Sequence, residues 1–267
     1  MVLLSAVLWS LAGVFIKSLE LHPLTIVFYR SLFASLFFLL FARSARWTFS
    51  SSLLVSAVSY TAAISFFVWA NKLTTAANAI ILQYTAPIFV YVFVRLLFKE
   101  PILKANFTTL LLGMAGVVVI FIGSAGQPDA PGVAAAVVSG LLFAVFMTNL
   151  RFLTQVHPGY LTWVNNLVCW LALLPLAPSF ALTSEQAVAL AVMGVVQLGL
   201  PYFFFSKGLE TISLQEASLI VLIEPVLNPI WVGLVSREVP SAATLVGGGI
   251  ILLSLAGRYV WQLVTDC

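Results

Sequence analysis

Two ionisable side chains in this sequence stand where charge is costly. Glu224 lies near the middle of the apolar run 213–235, and Arg30 lies about two turns into the run 24–42. A charge at such depth must face an aqueous cavity, a partner or, for a long arginine, the headgroups its stem can reach. Three chemistries are open to Glu224: it can carry a proton, pair with Arg30, or hold the ammonium group of a solute. A structural role is also open, as a buried carboxyl satisfied by Asn228 one turn later and by backbone groups freed at Pro225 and Pro229. Asn165 stands 135 positions after Arg30, beside Asn166 and just after Trp163. Gln83 and Tyr84 precede Pro87 much as Ile223 and Glu224 border Pro225. Tyr60, Gln197 and Tyr202 add hydrogen-bonding groups, and Trp9, Trp69 and Trp163 add aromatic walls, although such rings also serve as anchors at the headgroup level. Together these residues describe a mostly apolar, weakly charged chamber for a small amphipathic solute. A large polyanion would need more interior cations than Arg30.

The elements that must position these groups follow from composition. Hydrophobic residues make up 62% of the 267 and charged residues 8%, with a mean hydropathy of +1.11, so there is too little polar surface to cover a water-soluble globule. Apolar runs of roughly 18 to 23 residues suit helices crossing about 30 Å of hydrocarbon, whereas barrel strands would be shorter and alternate in polarity. The expected fold is an all-α integral membrane bundle with spans near 2–19, 24–42, 50–71, 75–97, 105–124, 132–152, 159–178, 187–207, 213–235 and 242–263, numbered 1 to 10. No soluble domain is left over. The first run has no basic leader or small-residue cleavage site and reads as a retained helix.

The chain also matches itself. His22-Pro23 recurs as His157-Pro158, 135 positions on, while Pro87 matches Pro225 and Lys99-Glu100 matches Arg237-Glu238 at a spacing of 138. Five spans per copy is an odd number, which turns the second copy over. The ten transmembrane helices are therefore expected to form two inverted five-helix repeats, 1–127 and 128–267, enclosing one cavity. With the N-terminus on side one, that side collects Arg43, Arg46, Arg95, Lys99, Lys104, Arg151, Lys207 and Arg258, against Lys17, Lys72 and Arg237 opposite. This asymmetry places side one and both termini in the cytoplasm.

Local signals refine the spans. Ser213 and Glu216 form a capping box ahead of an apolar run, which accounts for Glu216 without a functional role. Each His-Pro pair places proline at a first helical position, so the histidines read as boundary residues. Pro87, Pro201, Pro225 and Pro229 fall within spans 4, 8 and 9, where each removes a backbone hydrogen bond. Broken helices belong in the bundle interior, where freed carbonyls can be satisfied and where the rods can bend or simply hold a fixed kink. Gly113 and Gly116 in span 5, and Gly247, Gly248 and Gly249 in span 10, read as close-packing surfaces that support the bundle or a homodimer. Cys169 and Cys267 have neither disulfide nor metal spacing, and no metal or cofactor is expected. The sequence contains no H-E-x-x-H or G-x-S-x-G motif, no ring of repeated charge, and no basic stripe for nucleic acid. An enzyme, a pore and a nucleic-acid binder are therefore all disfavoured. The partners left are a small-molecule substrate and the lipid bilayer.

Five stretches resemble a known family: Ala6-Val7-Leu8-Trp9-Ser10, Phe28-Tyr29-Arg30-Ser31, the turns Lys99-Glu100-Pro101 and Arg237-Glu238-Val239, and Ala217 to Val226, which ends Glu224-Pro225-Val226. In order and duplication they resemble the drug/metabolite transporter superfamily, and specifically its ten-helix EamA branch. The resemblance implies an inner-membrane carrier, often an exporter of amino acids or related metabolites, with its cavity between the repeats. The family also includes drug exporters and sugar-nucleotide carriers. Within it the chain is similar to bacterial amino-acid exporters of the YddG type, which makes neutral and aromatic amino acids the first substrates to try. Alternating access is the expected mechanism, with Arg30, Tyr60, Gln83, Tyr84, Trp163, Asn165, Gln197, Tyr202, Glu224 and Asn228 along the pathway and the proline-broken helices 4 and 9 as bending elements.

Overall fold

The computed structural model describes residues 1–42, 49–74, 76–124, 130–236 and 242–265. Arg43, Arg46, the turn Arg237-Glu238-Val239, Cys267 and the boundary between residues 127 and 128 lie outside the described residues.

Among the described residues, ten helices follow the apolar runs. Helix 1 consists of Val2–Trp9 and Ala12–Ser18; helix 2 is Pro23–Ala42, helix 3 is Ser51–Leu73, and helix 4 is Ala76–Gln83 followed by Ala86–Phe98. Helix 5 is Lys104–Ser124, helix 6 is Ala130–Asn149 with a 3-10 turn at Leu150–Leu153, and helix 7 is Pro158–Leu173. Helix 8 joins Ser184–Val192 through a π turn, Met193–Gly199, to Leu200–Gly208. Helix 9 joins Leu214–Ile220 through a 3-10 turn, Val221–Ile223, to Glu224–Ser236, and helix 10 is Ala242–Thr265. Helices 2, 3, 6 and 8 are long and apolar enough to cross a membrane by themselves.

The helix starts have local causes. His22 Nδ1 accepts from the Leu24 N–H at 3.3 Å, and His157 Nδ1 accepts from the Gly159 N–H at 3.2 Å, so the duplicated histidines perform the same capping job ahead of Pro23 and Pro158. The Ser213–Glu216 capping box is formed in full. A second one, Thr183–Gln186, opens helix 8.

Repeat-equivalent helices run antiparallel. Thr25 and Tyr29, near the start of helix 2, donate to the carbonyls of Ser179 and Phe180 beyond the end of helix 7, at 3.3 and 2.8 Å. Gly159, at the start of helix 7, packs on Phe41 at the end of helix 2. Likewise Asn106 at the start of helix 5 accepts from Arg258 near the end of helix 10. The packing scheme survives exchange of the halves: helix 1 lies on helix 8 as helix 6 lies on helix 3, and helices 2, 4 and 5 pair with 7, 9 and 10. The fold is thus two inverted five-helix repeats.

Helices 5 and 10 meet through glycine. A Cβ at Gly116 would come 2.6 Å from the Gly247 carbonyl, and one at Gly247 would strike the Gly116 carbonyl. The glycine face is thus used within the chain, and only Gly249, in this group, has open space beside it. Leu40, Leu96, Leu111 and Leu253 are exposed around the bundle, as a lipid-facing surface requires.

Candidate functional site

Helices 1, 2, 3, 4, 6, 8 and 9 enclose a central cavity of about 30 Å³, with Trp9, Arg30, Phe67, Gln83, Phe143, Gln197, Tyr202 and Glu224 in its wall. That volume holds about one or two water molecules. The cavity sits where helices are interrupted, and the interruptions explain its polarity.

In helix 9 the helical donor to the Val221 carbonyl would be residue 225, which is proline and has no N–H. The chain tightens to a 3-10 turn, so that the Glu224 N–H reaches the Val221 carbonyl, and the Tyr84 hydroxyl supplies a second contact at 2.7 Å. The same hydroxyl lies 2.6 Å from Glu224 Oε2. Helix 8 responds to Pro201 in the opposite sense, by widening: the Leu200 N–H reaches back to the Val195 carbonyl in a π turn. Gly194 in this turn packs directly on the Arg30 carbonyl, which clamps helix 8 to helix 2. In helix 4 the break at Tyr84-Thr85 precedes Pro87. Gln83 Nε2 there donates to Ser139 Oγ at 2.8 Å, and Ser139 donates to the Ala63 carbonyl at 2.8 Å. Helix 9 is continuous through Pro229, so its break belongs to Pro225 alone.

Helix 1, expected to be one rod, is interrupted at Ser10-Leu11 without proline or glycine. Helix 9 holds this break: Asn228 Nδ2 donates to the Ser10 carbonyl at 2.8 Å and Trp231 Nε1 to Ser10 Oγ at 2.7 Å. The expected bond from Asn228 to Glu224 is therefore not made. Asn228 serves helix 1, and Tyr84 replaces it at the carboxyl.

Arg30 and Glu224 are 2% and 6% exposed and line the same cavity, yet no ion pair joins them. Of the roles open to Glu224, the pair with Arg30 is not formed here: each charge has its own surroundings. Nε and Nη1 of Arg30 have no hydrogen-bond partner, an expensive state for a guanidinium removed from water. Rings crowd the space. The Tyr202 centroid lies 4.7 Å from Tyr60 and 4.9 Å from Trp9, both edge-on, and Phe143 stands 5.7 Å from Trp9.

Tyr60 is buried and donates to Asn166 Oδ1 at 2.9 Å. Asn165 accepts from Ser56 at 3.1 Å, and Trp163 packs its ring 5.9 Å from Tyr160. Asn165 faces Ser56 of helix 3, and neither it nor Trp163 is in the cavity wall: the repeat offset matched the depth of Asn165 to Arg30 but not its direction. Gln197 lies in the wall, with Nε2 3.5 Å from the Trp9 carbonyl. Ser10, Trp231 and Phe143 were missed. Ser10 carried a faint signal as a hydroxyl inside an apolar run, whereas nothing local distinguishes Phe143 from its neighbours. Among the described residues no group of three His, Cys, Asp or Glu side chains could hold a metal ion.

Comparison with known proteins agrees with this architecture. The profile of the EamA-like transporter family matches twice, over residues 1–122 and 130–259. An uncharacterized transporter of Archaeoglobus fulgidus is 27% identical over 252 residues, covering 94% of this chain and 92% of that one. A protein of Ancylobacter novellus named aromatic amino acid exporter YddG is 24% identical over 210 residues, 72% of each chain. A solved crystal structure with 18% sequence identity superimposes with a TM-score of 0.81 over 96% of this chain and 95% of its own, which shows the fold.

Proposed function

The chain belongs to the EamA-like transporter family, and from that premise we propose that it exports small amphipathic metabolites, amino acids first among them, by alternating access across the cytoplasmic membrane. The observation that carries the amino-acid reading is Arg30: a buried guanidinium with two unpartnered N–H groups, set beside aromatic rings, is suited to a carboxylate whose side chain stacks on those rings. The name of the Ancylobacter novellus relative points the same way. The cavity is far too small for an amino acid, so on this reading a solute is accommodated only when the halves rock apart. The excess of basic residues on side one supports cytoplasmic termini. A single chain encloses the whole cavity, so a homodimer through helices 5 and 10 would be an accessory to transport.

The test is counterflow in proteoliposomes with labelled phenylalanine, tryptophan and leucine, alongside phenethylamine, which keeps the ring and the amine but lacks the carboxylate. Saturable counterflow of the amino acids supports the carrier, whereas ohmic single-channel currents would support a pore. Arg30→Ala is expected to weaken phenylalanine transport at least tenfold more than phenethylamine transport, in line with the loss of one charge-assisted pair. Equal loss of both would assign Arg30 to folding and remove the basis for the carboxylate.

A further inference from the structure

We propose that Glu224 is a proton-binding site, and that its carboxyl, the Tyr84 hydroxyl and the Val221 carbonyl form a two-position hydrogen-bond switch that links proton movement to bending of helices 4 and 9. The proposal rests on the transporter reading above. The geometry behind it is a mismatch between donors and acceptors. A tyrosine hydroxyl has one proton, yet Tyr84 Oη lies within 2.7 Å of the Val221 carbonyl and 2.6 Å of Glu224 Oε2. With Glu224 ionised, the Tyr84 proton goes to the carboxylate, the stronger acceptor, and Val221 keeps only the Glu224 N–H. With Glu224 protonated on Oε2, the carboxyl donates to Tyr84 Oη, and the Tyr84 proton turns to Val221. Every donor in that chain then has an acceptor.

The switch spans two hinges. Val221 lies in the 3-10 turn that Pro225 forces on helix 9, and Tyr84 lies at the break ahead of Pro87 in helix 4. When protonated, the switch ties helix 4 to the backbone of the helix 9 hinge. When ionised, it ties helix 4 to a side chain with three rotatable bonds, a softer link. The stiffness between the repeats thus depends on one proton, taken from water on the side to which the cavity opens and released on the other. No bond in the solute changes.

Few groups compete for this role. Among the described residues, Tyr84 from helix 4 and Tyr202 from helix 8 interact with Glu224, and Arg30 from helix 2 lines the same cavity. Helices 1, 5 and 10, which also pack on helix 9, present no titratable group among the described residues that interacts with Glu224; Arg258 of helix 10 reaches Glu216 at the start of helix 9 instead. Asn228 is committed to Ser10, so Tyr84 is the carboxyl's side-chain donor.

Two measurements decide the matter independently. Infrared difference spectroscopy of the wild-type protein in lipid, titrated with acid, is expected to show a carboxylic-acid C=O band that is absent in Glu224→Gln and moved to the frequency of a free carboxyl in Tyr84→Phe. A titration with no such band overturns the proton site, and an unmoved band in Tyr84→Phe overturns the switch. The wild-type titration needs no variant to fold. In proteoliposomes holding a trapped pH dye, a one-unit pH gradient is a tenfold proton ratio, so one-for-one exchange is expected to drive accumulation of labelled phenylalanine up to about tenfold, with a matching dye response. Phenylalanine counterflow that ignores the pH gradient and leaves the dye unchanged overturns the coupling while the transporter reading stands. No counterflow for any solute in the panel overturns that reading, and with it the coupling.

Discussion

Helices 4 and 9 are repeat-equivalents, and so are helices 5 and 10, yet duplication has produced two opposite joints. The 5–10 joint brings backbone against backbone: Gly116 and Gly247 face each other's carbonyls, both helices are unbroken, and Gly113 lets Leu222 of helix 9 approach as well. The 4–9 joint is held by side chains across two interrupted rods, with Tyr84 as its polar clasp. Dense backbone packing resists deformation because any shift strains many contacts at once. A hydrogen-bonded clasp at a helix break has alternative arrangements separated by little energy. One duplicated fold thus supplies a tightly packed wall and a side-chain-held joint, which is the gate in the mechanism proposed above.

The wall is the joint most easily disrupted. Gly116→Leu drives a branched side chain into the Gly247 carbonyl and Ile251, and overpacking of this kind costs about 3 kcal/mol or more. A clearly lowered melting temperature of the detergent-purified protein is expected. Gly249→Leu, with open space at its Cβ, is expected to melt close to wild type. Similar losses for both variants would show that the 5–10 crossing has no special tightness. A smaller effect is expected at the gate from Asn228→Ala. It strips the side-chain donor from the Ser10 carbonyl and costs about 1 to 3 kcal/mol, since water does not readily replace that donor in the bundle interior. If thermal unfolding shows no loss, the helix 1 break does not depend on helix 9.

What could be read from the sequence divides along the same line. The ten helices, their inversion and the capping at His22, His157 and Ser213 were legible because each has a short-range signature: an apolar run, a repeat spacing, a cap residue. The depth of Arg30 and Glu224 was legible too. Their partners were not. Asn228 shares a helical face with Glu224, and the one-turn rule joined them, but a buried backbone carbonyl at the helix 1 break proved the better acceptor. That carbonyl was invisible because Ser10-Leu11 contains neither proline nor glycine. Tyr84 meets Val221 and Glu224 across about 140 residues, and no local spacing encodes such a meeting. Asn165 shows the limit of the repeat offset, which transfers depth in the membrane but not rotation about the helix axis.

The finest distinction lies within the gate, between its two prolines. Pro225→Ala restores an N–H four residues after Val221, allows an α-helix to run through the 3-10 turn, and competes with Tyr84 for the Val221 carbonyl. Pro87→Ala restores the equivalent donor to the Gln83 carbonyl, which packs on Gly140 and takes no part in the Tyr84 clasp. Both changes are expected to alter thermal stability by no more than about 1 kcal/mol, within the ordinary range for one substitution, and the Val221 carbonyl already has two substitute donors. Turnover is expected to separate them: Pro225→Ala slows proteoliposome counterflow several-fold, while Pro87→Ala slows it less. Equal rates would make the two breaks interchangeable kinks. A faster Pro225→Ala would mean that the helix 9 break retards the cycle, and that the Tyr84 clasp is a brake on movement rather than its pivot.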